Sequence, residues 1–247
     1  MTDISTNTVS TLATAITCDV IAIEALTPSI SKVILSPQQP AAYHAGQYLQ
    51  LLLSAEDKRP FSIASIAQHN QLELHIGTPA GDNWSGAALA HIQQQHRAGL
   101  QVMVEVGLGV AQLRLNSQRP IILLAGGTGF SYVYAIAQAL SEAKTSQPVY
   151  LYWGVRQQDA LYYQPQLQHW AGQADNFHYI PVVQQPTAGW QGRTGLVHEA
   201  VLADIAALED YDIYIAGPFA MAGVAREAFA QQGAVREHMF ADAFAYI

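Results

Sequence analysis

Cysteine is almost missing from this chain: its 247 residues include one, Cys18. A single thiol excludes an internal disulfide framework, a Cys₄ zinc site and a cysteine-held iron–sulfur cluster. Charge is scarce as well. Asp, Glu, Lys and Arg make up 12% of the residues, against a usual share of about 25%. Half of the chain is hydrophobic, so disorder is excluded and an ordered interior is expected. Positive charge is the scarcer sign, with 11 Lys+Arg against 19 Asp+Glu and a formal net charge of −8. Without basic runs, nucleic acid is not an expected partner. Long hydrophobic runs are missing too. Ile121–Ala125 and Val102–Leu108 (broken by Glu105) fall far short of the roughly 18–20 apolar residues of a membrane span. No cationic side chain precedes Lys32, so no basic region leads into an apolar export segment. The expectation is a cytoplasmic protein without a membrane partner.

The residues that are present fall into two rhythms. Residues 1–14, rich in Ser and Thr, read as a flexible tail. From 15 to 115 short alternating strands predominate: Ile16–Glu24, Ser31–Leu35, Gln47–Leu53, Phe61–Ser65, Leu72–Gly77 and Gln101–Val106. Their spacing predicts an antiparallel barrel, here a six-stranded Greek-key one. One helix interrupts them, Trp84 to about Gln95, with Trp84, Ala87, Ala88 and His91 at helical spacing. From 116 to 247 strands and helices alternate. Ile121–Ala125, Val149–Gly154, His178–Val183, Asp212–Ala216 and His238–Ala241 predict a doubly wound, five-stranded parallel sheet.

Three segments can carry chemistry. Gly126-Gly-Thr-Gly129 follows the first parallel strand and opens a helix, where backbone N–H groups can hold a phosphate. It is neither Walker A nor G-x-G-x-x-G, and read alone it is also a tight turn that needs glycine. Ala216-Gly-Pro-Phe219 repeats the geometry after the fourth parallel strand, and Arg156 ends the second strand at the same edge, where it reads either as a partner for a ribose phosphate or as a solvated surface arginine. In the barrel, Lys58-Arg-Pro-Phe-Ser-Ile-Ala-Ser65 reads as an edge strand with Pro60 near its start. The nine histidines form no metal set, His75 reads as a core or ligand-wall residue, and no G-x-S-x-G elbow is present. Tyr150, Tyr152, Trp153, Tyr162 and Tyr163 read as packing.

The order of these pieces resembles the ferredoxin–NADP reductase superfamily. Arg59-Pro-Phe-Ser62, His75-Ile-Gly77, Gly126-Gly-Thr-Gly-Phe-Ser131, Trp190-Gln-Gly-Arg-Thr-Gly195, Ala216-Gly-Pro-Phe219 and Asp242-Ala-Phe-Ala-Tyr-Ile247 are most similar to its bacterial NAD(P)H:flavin oxidoreductases. The resemblance implies a flavin-binding barrel over 15–115 and an NAD(P)-binding α/β domain over 116–247. It places Arg59, Pro60, Phe61, Ser62, His75, Ile76, Gly77 and Phe244 at the flavin, with the Ser62 hydroxyl at the hydride-accepting N5 as the catalytic group. It places Gly126, Gly127, Thr128, Gly129, Phe130, Gly217 and Pro218 at the nicotinamide nucleotide, where Arg156 is a further candidate from its place at the strand end; no metal is expected.

Three departures refine the implication. Ala216 stands where many relatives carry cysteine, and Ser131 stands where relatives with permanent FAD usually carry proline. The Gly77–Ser85 stretch does not match the expected Gly-x-x-Ser phosphate signature. The first means that no cysteine assists at the nicotinamide; the other two favour riboflavin, FMN or FAD as a diffusing substrate, reduced by NADH or NADPH and released to ferric complexes or a flavin-dependent oxygenase. The alternatives are a reductase with tightly bound FAD that serves a protein partner, and a non-catalytic nucleotide-binding module.

Overall fold

The computed structural model describes residues 15–247; the tail expected over 1–14 lies outside them. Six antiparallel strands build the first lobe: β1 (Ala15–Thr27), β2 (Ile30–Pro37), β3 (Tyr48–Leu52), β4 (Lys58–Ser62), β5 (Leu72–Gly77) and β6 (Val102–Leu108). Their spatial order is β4-β3-β6-β1-β2-β5. The two outer strands approach each other, and just past β4 the Ala64 N–H donates to the Glu73 carbonyl on β5 at 2.8 Å. That contact rolls the sheet into a barrel around Leu35, Leu49, Leu51, Leu72, Leu74, Ile76 and Val104. Strand β4 starts and ends three residues earlier than its apolar run predicts. It is an edge strand, the position that tolerates Pro60 and its missing N–H.

Helix α1 (Asn83–Ala98) fills the gap between β5 and β6. Its core face is Ser85, Ala88, Leu89 and Ile92; of the four residues read at helical spacing, Ala88 is on it, whereas Trp84, Ala87 and His91 are not. Trp84 sits outside because its ring packs on Phe61, 5.6 Å between centroids, under the Arg59 guanidinium.

The second lobe is a parallel sheet: β7 (Ile121–Gly126), β8 (Val149–Val155), β9 (Phe177–Val183), β10 (Arg193–Thr194), β11 (Asp212–Ala216) and β12 (Met239–Phe240). The order is β10-β9-β8-β7-β11-β12. Five of these are the strands expected; β10, two polar residues long, adds a sixth at the edge. Central β7 is apolar along its length because both its faces are covered. Helices α2 (Phe130–Glu142) and α3 (Gln164–Gln173) pack on one face, through Phe130, Val133, Ile136 and Leu167. Helices α4 (Val197–Asp204) and α5 (Phe219–Gln231) pack on the other, through Val201, Ala225 and Phe229. Gly126 pairs with Gly154 and Ala125 with Ala216, so the ends of β7, β8 and β11 lie level at one edge. None of the helices among the described residues is long and apolar enough to cross a membrane.

Candidate active site

Between that level edge and the barrel lies a cavity of about 970 Å³. The volume is at the upper end for small-molecule sites, which run to roughly 1,000 Å³. The barrel contributes Pro60, Phe61, Ser62 and His75 to its lining; the α/β lobe contributes Gly126, Gly127, Thr128, Gly129, Arg156, Gly217 and Pro218. Eleven of the sequence-expected residues therefore meet in one space. Ser62 is half-buried at the end of β4, and its hydroxyl makes no hydrogen bond among the described residues. It is free to donate into the cavity.

Five expected residues are not lining side chains. Arg59 is turned away: Asp57 holds it at 2.8 and 2.6 Å, and its guanidinium also reaches the Trp84 carbonyl. Ile76 is part of the barrel core. Gly77 lies against Thr128, whose Cγ2 is 2.9 Å from where a Cβ would stand. Phe130 is fully buried behind the glycine loop, stacked on Trp153 at 3.9 Å. Phe244 packs below Arg226, 5.1 Å from guanidinium to ring.

The glycine loop is held from behind, where the Trp153 indole N–H donates to the Gly127 carbonyl at 3.0 Å. Its glycines have different tasks. A Cβ on Gly129 would lie 2.5 Å from the Ala216 carbonyl carbon and 2.7 Å from Gly217 N, so this residue lets the two glycine turns touch. Gly127 has a φ of +56° and only open space where its Cβ would point. It is the position where missing side-chain bulk serves a ligand.

Helices α2, α4 and α5 all begin at the cavity, which Ser131, Val197, His198, Phe219 and Met221 also line. None of the three has a side-chain cap at its start. The Phe130 N–H of α2 is already given to the Gly127 and Thr128 carbonyls, whereas the first N–H groups of α4 and α5 remain available to an anion. In the barrel the situation is reversed. The α1 start is closed by Asp82, which accepts from Trp84 N–H at 2.8 Å and from Ser85 N–H at 3.4 Å. Hydrogen bonds from the Ser85 hydroxyl and the Trp84 backbone hold the Asp82 carboxyl below its usual pKa, so a negative charge occupies that helix start.

The family described as "Oxidoreductase NAD-binding domain" matches residues 123–227, the span holding both glycine turns. An NAD(P)H-flavin reductase of Aliivibrio fischeri is 41% identical over 94% of this chain and 99% of its own length. A protein of the same name from Vibrio harveyi matches equally, 41% over the same shares. The chain belongs to the NAD(P)H-flavin reductase family. Among solved structures, the flavin-reductase chain resembles the ferredoxin reductase of carbazole 1,9a-dioxygenase, with a TM-score of 0.77 and 26% identity over 94% of this chain and 69% of that one. It also resembles the Amycolatopsis cytochrome P450 reductase GcoB, with a TM-score of 0.81 and 25% identity over 93% and 69%.

Sequence reading missed several lining groups of this flavin-reductase cavity. Asp242 is one: burial pushes its carboxyl up to about 6, partly opposed by a hydrogen bond from the Ala111 N–H. Glu199 lines the opposite end, beside His198, whose buried Nδ1 has no partner among the described residues. Met221 fills the space that Cβ atoms on Gly126 and Gly217 would need. No local motif marks these residues, because each reaches the site through tertiary packing.

Proposed function

We propose that NAD(P)H and a free flavin meet in this cavity, where hydride passes from nicotinamide C4 to flavin N5 and the reduced flavin leaves. The flavin would lie on the barrel wall of Pro60, Phe61 and Ser62, and the nicotinamide nucleotide on Gly126–Gly129 and Gly217–Pro218. Ser62, with its hydroxyl unengaged, would donate to N5 as charge arrives there. The two glycine turns bring backbone close to the dinucleotide phosphates, and the positive ends of the helix dipoles of α2 and α5 offset their charge. Arg156, on the rim, would meet the ribose end. Residues 15–115 then serve the flavin and 116–247 the nucleotide.

The observation that carries the diffusing-flavin reading is Asp82. The barrel's own helix start, its natural anion site, is already filled by a carboxylate. A held FAD would bring its pyrophosphate against that charge, whereas riboflavin carries no phosphate. This disfavours the alternative in which tightly bound FAD serves a protein partner. Reduced flavin released into the cytoplasm would go on to ferric complexes or a flavin-dependent oxygenase. Two measurements test the reading. Desalted protein should be nearly colourless, and NADH oxidation should need added riboflavin. A yellow protein retaining stoichiometric FAD through dialysis would overturn it.

A further inference from the structure

Next to the cavity lies a buried polar cluster that the hydride-transfer reading leaves without a task. Glu73 and His75 stand two apart on β5 and so face the same way, away from barrel-core Leu72, Leu74 and Ile76 and toward the second lobe. Glu73 Oε1 lies 2.7 Å from His75 Nε2 and accepts from the Tyr163 hydroxyl at 3.0 Å. Burial pushes the Glu73 carboxyl up, but hydrogen bonds from His75 and Tyr163, with Lys32 nearby, outweigh it and hold the group below its usual pKa. An ionised carboxylate only accepts, so Nε2 is the donor of that pair. In the neutral imidazole this leaves Nδ1, 3.1 Å from the Tyr162 hydroxyl, to accept from it; in the imidazolium Nδ1 donates instead. Tyr162 keeps its proton because burial pushes its pKa well above the ordinary value.

The cluster touches the glycine loop from behind. The His75 ring faces the Phe130 ring at 6.1 Å and 12°, and Phe130 in turn stacks on Trp153, the side chain that holds Gly127. Contacts thus run without a gap from carboxylate to imidazole to Phe130 to the loop. Close-packed interiors transmit small shifts along such a path rather than absorbing them. The two cavity walls belong to different sheets, and ring-to-ring transfer needs them at a fixed separation. A misplacement of about 1 Å can cost about 100-fold in rate.

We propose that Glu73 is a positioning residue for hydride transfer: by gripping His75 and Tyr163 it sets how far the Gly126–Gly129 loop stands from the Ser62 wall. The proposal rests on the flavin-reductase reading above. Its test is single-turnover NADH oxidation by the full chain at saturating riboflavin, in wild type, Glu73→Gln and Tyr163→Phe. Glu73→Gln is expected to slow the turnover about 10- to 100-fold, with the KM for NADH and for riboflavin each within about three-fold of wild type. Tyr163→Phe keeps the ring and removes one donor, so a slowing of about three-fold is expected; it carries the test alone if Glu73→Gln does not fold. A lowered urea midpoint with unchanged rates would make the cluster purely structural and overturn the proposal. So would a raised riboflavin KM at unchanged kcat. Wild-type protein without riboflavin-dependent turnover would overturn the underlying reading, whereas an active wild type with unaltered variants overturns the role of Glu73 alone.

Discussion

The two walls of the cavity are made in opposite ways. On the barrel side the surface consists of side chains, Phe61 and Ser62 beside Pro60, presented by one edge strand. On the α/β side the ends of β7 and β11 offer backbone, where Gly126, Gly127, Gly129 and Gly217 line the cavity without side chains. A wall of side chains can change chemistry one residue at a time with little effect on the chain's path. A wall of backbone has no such freedom, because each glycine there is committed either to the ligand or to the neighbouring turn. Substitutions should separate these cases.

The largest expected effect is on the backbone wall. Gly129→Val drives a side chain into the Ala216–Gly217 peptide, which cannot yield as a flexible side chain would. A stability loss of at least about 3 kcal/mol is expected from the urea midpoint, with nucleotide binding lost as well. A variant that stayed fully stable would erase the distinction between the two walls. On the other side, Ser62→Ala should leave stability and the riboflavin KM nearly unchanged. Losing one hydrogen bond to a centre gaining charge costs about 1.5–3 kcal/mol, which is about 10- to 150-fold in kcat. Stopped-flow hydride transfer reads this directly, and an unchanged rate would reduce Ser62 to a contact surface.

Gly127→Ala sharpens the contrast within the loop itself. The new methyl meets no protein atom and points into open cavity, at a φ that costs a non-glycine residue about 1–2 kcal/mol. The folded variant should show a raised NADH KM, by about ten-fold, and an unaltered riboflavin KM. An equal rise in both would place the flavin against this loop as well.

Asp242 gives a smaller, pH-dependent effect. Its carboxyl, pushed up to about 6 by burial, binds its proton more tightly in the folded chain than in the unfolded one. Stability is therefore highest where the group is protonated, falls as pH rises from about 4 to about 6, and stays lowered above that. Asp242→Asn removes the ionisation cost. It should add about 1–2 kcal/mol at pH 7.5, after allowing for partial exposure, and almost nothing at pH 4. Urea titrations at the two pH values test this; equal gains at both would exclude ionisation as the cause. The smallest effect concerns Cys18, whose thiol burial, aided by Asp19, pushes up to about 12. Native protein at pH 8 should resist iodoacetamide under conditions that alkylate the urea-unfolded chain completely.

The contrast between the walls also explains what could be read without coordinates. Ile121–Ala125 announces a buried parallel strand because five apolar residues in a row fit nowhere else before Gly126. The backbone wall was legible for the same reason, since a surface made of missing side chains leaves glycines in the text. The side-chain wall was visible only as a resemblance, because Pro60-Phe-Ser62 alone looks like any strand edge. Helical spacing groups Trp84 with buried Ala88 but does not register that its ring is drawn out to Phe61. Glu73 lies about ninety residues from the adjacent Tyr162 and Tyr163, and nothing local signals that they share a hydrogen-bond network through His75. Strand β10 escaped notice because two polar residues carry no period.

The uncapped beginnings of α4 and α5 have one more consequence, for the lifetime of the protein rather than its chemistry. Helix starts without capping side chains fray easily, and α1 avoids this through Asp82. A dinucleotide occupying those N–H groups would act as the missing cap, and at a hundred times its Kd a ligand adds about 2.7 kcal/mol to stability. Resistance of the second lobe to proteolysis would then follow the supply of its own reductant. Placing Ser or Asp at Leu196, the engineer's usual remedy, would set a side chain against the ligand for the same donors.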